Sequence, residues 1–104
     1  MGYLLDFYGD ILPERKRSVM DMYYNEDLSL AEIASEIGIS RQGVRDIIKK
    51  TEEELTFYEE KLGLAQKLKR TEARVERLAH LAKSASLPPE MLSELELLTA
   101  IIKE

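Results

Sequence analysis

No cysteine and no tryptophan occur in this chain of 104 residues, and histidine is present once, at position 80. Without cysteine there is no disulfide framework, and a single histidine has no thiol or second imidazole with which to share a metal, so neither a metal site nor any other cofactor is expected. Three prolines and five glycines sit between periodic segments rather than within them. Nothing alternates with the two-residue period of a strand, and the chain is expected to be all-α, a helical bundle. No run approaches the ~20 apolar residues a membrane helix needs, and the start of the chain lacks the basic and apolar regions of a secretion signal. No membrane insertion is expected, and a reduced, cytoplasmic location follows.

A basic surplus is also missing. The formal net charge is −5, the opposite of what a generic polyanion binder carries. The positive charge is segregated, however. Residues 41–50 hold four cations against one acid, and residues 63–83 hold six against two, so local positive fields exist on an acidic protein.

The stretch LSLAEIASEIGISRQGVRDIIKK, Leu28 to Lys50, organises the rest. Ser29 and Glu32 form the two halves of a capping box, and Leu30, Ile33, Ala34 and Ile37 recur at helical spacing. Gly38 follows the last periodic residue, where a helix end takes a left-handed residue. Ser40 then caps a second helix, with Val44, Ile47 and Ile48 on its apolar stripe and Arg41, Gln42, Arg45 and Lys49 outside it. A small residue, a corner glycine and two caps at this spacing are the grammar of a helix-turn-helix. A helical hairpin with no nucleic-acid role shares that grammar.

The flanking segments read as helices too. Leu4, Phe7, Tyr8 and Ile11 fall on one face of a first core helix, and Val19, Met22 and Tyr23 on a second that starts near Pro13. Arg15, Lys16 and Arg17 crowd the start of that second helix and are read as a solvated end. Beyond Lys50 the pattern continues through Leu55, Tyr58 and Leu62 to Gly63, so the helix is expected to run about 20 residues. The Thr51–Glu54 capping box is read as accidental. Glu52, Glu53, Glu54, Glu59 and Glu60 would repel phosphates, which leaves only the first half of this helix to approach nucleic acid. The five tyrosines are read as core or half-buried residues rather than base-stacking platforms.

The division is therefore a helix-turn-helix domain over 1–63 and a helical hairpin over 64–104. In the hairpin, Leu64, Leu68, Thr71, Val75, Leu78 and Ala82 share one face, and Lys67, Arg70, Arg74 and Arg77 form a second, weaker candidate for phosphate contact. Met91, Leu92, Leu95, Leu98 and Ile102 give the last helix a packing face, which Leu97, Ala100 and Ile101 widen past half its circumference. That arc is expected to serve self-association as a homodimer or the binding of a partner. No carboxylate pair or phosphate-binding loop points to catalysis, and a binding protein rather than an enzyme is expected.

From LLDFYGDIL through MDMYYNEDLSLAEIASEIGISRQGVRDIIKKTEEEL to FYEEKLGL, the chain resembles the YlxM family of small bacterial helix-turn-helix proteins. The likeness covers about the first 64 residues, and the remaining 40 share helical character. The motif is also similar to region four of sigma factors. The resemblance implies a cytoplasmic, DNA-binding regulatory or accessory protein linked to the signal recognition particle pathway; an adaptor docking on that particle's RNA or its GTPase is the alternative. Within the family's SRQ-small-V segment the chain keeps Ser40, Arg41, Gln42 and Val44 but has Gly43 where alanine is usual and Arg45 where tyrosine is usual. The candidate nucleic-acid-binding residues are Ser40, Arg41, Gln42, Gly43, Arg45, Lys49 and Lys50. Cations at the positive end of a helix dipole each cost about 0.3–1 kcal/mol, and Gly43 costs up to about 1 kcal/mol against alanine. A bare backbone and cations at that end suit close approach to phosphates and base edges.

Overall fold

The computed structural model describes residues 1–104 as six α-helices with no strand. They are α1 (Gly2–Tyr8), α2 (Glu14–Tyr24), α3 (Leu30–Ile37), α4 (Arg41–Leu62), α5 (Leu64–Lys83) and α6 (Pro89–Ile102), with a short 3₁₀ turn at Gly9–Ile11. The chain divides into two compact units, Met1–Gly63 and Leu64–Glu104.

In the first unit α4 is the hub, for α1, α2 and α3 all pack against it and α2 also meets α3. Its buried residues Val44, Ile48, Thr51 and Leu55 recur every three or four positions and form one stripe along the helix. Facing that stripe are Leu5 and Tyr8 of α1, Val19, Met20 and Met22 of α2, and Ile33 and Ala34 of α3. Thr51 is fully buried, yet its hydroxyl donates to the Ile47 carbonyl one turn back at 2.7 Å, so its polar atom is satisfied without leaving the helix. Its match to a capping box is indeed accidental, because α4 runs unbroken for 22 residues until Gly63, in the left-handed conformation, ends it.

Two expected core positions are corrected. Ile11 is 62% exposed and Leu12 is buried in its place, because α1 stops at Tyr8 and the tighter 3₁₀ turn rotates the following side chains out of the α-helical register. On α2 Tyr23 stays exposed, its ring edge-on to Tyr24, while Met20 joins Val19 and Met22 inside, since a helix packed on both α3 and α4 buries a wider arc.

The corner between α3 and α4 is built from local bonds. Ser29 Oγ accepts from the Glu32 N–H and Glu32 Oε1 accepts from the Ser29 N–H, both at 3.1 Å. Those two bonds stabilise the carboxylate and hold Glu32 below its ordinary pKa. Gly38 has φ 75° and ψ 34°, and the N–H groups of Gly38 and Ile39 both donate to the Ala34 carbonyl. A Cβ at Gly38 would meet no atom within 4 Å, so Gly38→Ala costs only the left-handed backbone, about 1–2 kcal/mol, a loss to be read from urea unfolding.

The second unit pairs α5 with α6. Pro88 and Pro89 start α6, where the missing N–H groups are no loss. Only Ala65 and Val75 of its residues are buried, and α6 buries none. Leu64 and Leu78, expected on a packed face, are about half exposed, because two helices can enclose only a narrow strip between them.

Candidate nucleic-acid interface

The α3–α4 corner brings two helix N-termini to one place. Ser29, Leu30 and Ala31 from the start of α3 and Arg41, Gln42 and Arg45 from the start of α4 line a single open depression of about 380 Å³. In each helix the capping serine takes up the third N–H, Glu32 in α3 and Gly43 in α4. The fourth N–H bonds the capping residue's carbonyl, from Ile33 to Ser29 and from Val44 to Ser40. The first two N–H groups of each helix have no partner inside it, and they belong to Leu30, Ala31, Arg41 and Gln42, all in the lining. Four backbone donors, two positive dipole ends and two guanidinium groups thus belong to one depression, with the Glu32 carboxylate at the start of α3 and Asp46, bonded to Gln42, as nearby counter-charges. The sequence pointed to Arg41, Gln42 and Arg45. Ser29, Leu30 and Ala31 join them only through the crossing of the two helices, although the capping box had marked that end of α3.

The other expected residues divide by where α4 turns them. Lys49 is exposed, beside Arg45 and Gln42 by helical rotation, while Lys50 is exposed on the flank turned away from Arg41 and Arg45. Ser40 spends its Oγ as an acceptor for the Gly43 N–H at 3.0 Å, leaving its hydroxyl proton to donate elsewhere. Gly43 is corrected as a bare approach for phosphates. A Cβ there would come within 3.2 Å of Ser40 Oγ and 3.3 Å of Ile39 Cδ1, so the glycine faces into the corner, not outward. Asp46 was not among the expected residues because an acid reads as repulsive to phosphates. It is exposed, and its Oδ1 accepts from Gln42 Nε2 at 2.9 Å.

Several of the α4 acids that would repel phosphates are bonded across the fold. Glu54 pairs with Lys16 of α2, and Glu59 Oε1 accepts from the Tyr8 hydroxyl of α1 at 2.7 Å. The Tyr24 hydroxyl donates to Glu52, and burial followed by the Glu52 charge pushes its pKa up to about 12. These contacts hold the second half of α4 against α1 and α2, while the first two turns, packed on α3 through Val44, keep Arg41, Gln42, Arg45 and Asp46 exposed. Arg17 lies across Gly9 and pairs with Asp21 at 3.1 Å and Asp10 at 3.4 Å. Of the three cations at the start of α2, only Arg15 is fully turned to solvent.

In the second unit Lys67, Arg70, Arg74 and Arg77 are exposed along one side of α5, where they line a shallow trough with Thr71 and Ala73. His80 is exposed. A larger groove of about 770 Å³ runs between α5 and α6, lined mainly by Leu78, Leu81, Ala82, Met91, Leu95 and Leu98. No helix is long and apolar enough to cross a membrane.

Two capped helices, a left-handed corner glycine and a second helix with an exposed cationic face at its start define a helix-turn-helix protein. A family profile described as "UPF0122: Putative helix-turn-helix protein, YlxM / p13 like" matches residues 1–95, and the chain belongs to that family. The likeness thus reaches into α6, further than the first 64 residues in which the sequence motifs are concentrated. Similar relatives include the UPF0122 proteins of Bacillus cereus strain AH187, Bacillus anthracis strain A0248 and Bacillus thuringiensis subsp. konkukian strain 97-27. Each is 51% identical over 81 residues, which cover 78% of this chain and 74% of the relative.

Proposed function

We propose that this chain is a DNA-binding regulatory or accessory protein, not an enzyme, that lays the first two turns of α4 in the major groove of duplex DNA. The depression where the α3 and α4 N-termini meet carries this reading. Its four N–H groups and the guanidinium group of Arg41 suit a backbone phosphate. Docked there, α4 presents Gln42, Arg45 and Lys49 to base edges. The family resemblance extends the reading to a cytoplasmic role in the signal recognition particle pathway. Titration of the whole chain with a randomised duplex pool at several salt concentrations tests it. The expected outcome is a preferred sequence and affinity that falls with salt; equal, salt-insensitive weak binding to every duplex would overturn it.

The groove between α5 and α6 favours a second reading, an adaptor that docks on the particle's GTPase, and the cationic side of α5 extends it to the particle's RNA. If that side grips phosphates, Arg70→Ala with Arg74→Ala should weaken all nucleic acids alike and flatten the salt dependence by about 1 per lost contact. An unchanged salt slope would return it to solvent. The same unit supplies the surface for a homodimer. Leu97 and Ile101 are 57% and 61% exposed on a helix that buries nothing. Replacing both by glutamate is expected to convert a dimer into a monomer in sedimentation equilibrium, and a parent chain that already sediments as a monomer would refute the dimer.

A further inference from the structure

On α4 the residues opposite the buried stripe of Val44, Ile48, Thr51 and Leu55 are Gln42, Asp46 and Glu53, with Lys49 and Lys50 to either side, by a rotation of about 100° per residue, and of the three only Gln42 and Asp46 lie in the first two turns. Gln42 and Asp46 are exposed and joined by the bond from Gln42 Nε2 to Asp46 Oδ1. The direction of that bond follows from chemistry, because an ionised carboxylate only accepts, so the amide must turn its nitrogen toward it. One amide proton is thereby spent on Asp46. What the pair offers outward is dominated by acceptors, the carbonyl oxygen of Gln42 and the second carboxylate oxygen of Asp46.

We infer that Asp46, held in place by Gln42, is a specificity-determining residue that selects a base bearing an exocyclic amino group, adenine or cytosine, beside the base taken by Arg45. This rests on the proposed docking of α4 in the major groove. Asp46 is the one acid among residues 41–51, in the turns that would lie deepest in the groove, while four cations share that stretch. Against phosphates or the O6 and N7 of guanine its charge is repulsive, and against the O4 of thymine it is again an acceptor facing an acceptor. Only the N6 amino group of adenine and the N4 amino group of cytosine offer it a donor in the major groove. The carboxylate therefore penalises three situations and rewards one. Cations alone would hold α4 on any duplex, and this acid makes the wrong register costly.

The test is selection of a preferred duplex by the full chain, followed by titration of that duplex and its single-position variants at one salt concentration. Parent, Asp46→Ala and Gln42→Ala are compared, with circular dichroism to show that all three keep their helices, as exposed positions allow. The parent is expected to favour an amino-bearing base at one position by about tenfold or more. Asp46→Ala should reduce that preference to within about twofold while leaving the preference at other positions intact. Gln42→Ala should weaken the preference without abolishing it, since the carboxylate remains but is no longer held. If Asp46→Ala binds every duplex more tightly by one common factor with the base preference unchanged, the inference is overturned alone, and Asp46 is a solvent-facing charge. If the parent prefers no duplex at all, the inference falls together with the reading it rests on.

Discussion

Leu55→Ala is expected to lower the stability of the first unit by about 2–5 kcal/mol, the largest effect of any single truncation on α4. Leu55 is fully buried on the stripe where α1 and α2 meet α4, and the loss combines the transfer of the removed carbons with the cavity left behind. A unit of this size has a total stability of only about 3–9 kcal/mol at the usual 0.05–0.15 kcal/mol per residue. The variant should therefore lose a large fraction of that stability and unfold at a much lower urea concentration. Phe57 supplies the contrast. It is a larger apolar side chain two residues further along the same helix, but it is 54% exposed, with Lys61 over its ring. Phe57→Ala should change stability by no more than about 0.5 kcal/mol. Urea unfolding followed by circular dichroism measures both, and equal midpoints for the two variants would contradict the burial of Leu55.

The second large effect concerns recognition. Arg45→Ala should cost about 1–3 kcal/mol on a selected duplex and relax its sequence preference at one position, because Arg45 lies one turn into α4, where the proposed docking would bring it to the groove floor. Arg41→Ala should behave differently. As the first residue of α4 it sits at the mouth of the depression beside Leu30 and Ala31, so its loss should weaken all duplexes together and lower the salt slope by about 1. Neither residue lies on the buried stripe, so both variants should stay folded, with a urea midpoint at or slightly above the parent's because a cation leaves the positive end of the helix dipole. Indistinguishable behaviour of the two variants across sequences would contradict this division of roles.

Gly43 shows how a local cost can have two causes. A glycine in the first turn of a helix that contacts nucleic acid suggests close approach of the backbone, yet this one faces Ile39 and Ser40 inside the corner. Gly43→Ala gains about 1 kcal/mol of helix propensity against two contacts, with the Ser40 hydroxyl and with Ile39, that shifts of a few tenths of an ångström in those side chains relieve. A small net stabilisation is expected in urea unfolding, with nucleic-acid affinity unchanged.

What the sequence alone determined is what lies within a few residues of itself. The capping box of Ser29 and Glu32, the left-handed stop at Gly38, the Ser40 cap and the end of α4 at Gly63 each depend on atoms at most five positions apart, and all were readable before any helix was placed. The helical class followed in the same way, from a period of 3.6 in the apolar residues and the absence of any period of 2. Tertiary structure decided whatever depends on how helices cross. It exchanged Ile11 for Leu12 in the core, because a 3₁₀ turn and an α-turn rotate the chain by different amounts. It tied Glu54 to Lys16 and Glu59 to Tyr8, partners 38 and 51 positions apart, where a charge count sees only an acidic run. It also set the start of α3 beside the start of α4, so that Leu30 and Ala31 share a depression with Arg41 and Arg45. No spacing within either helix encodes that meeting; it follows from the angle at which the apolar stripes of α3 and α4 pack.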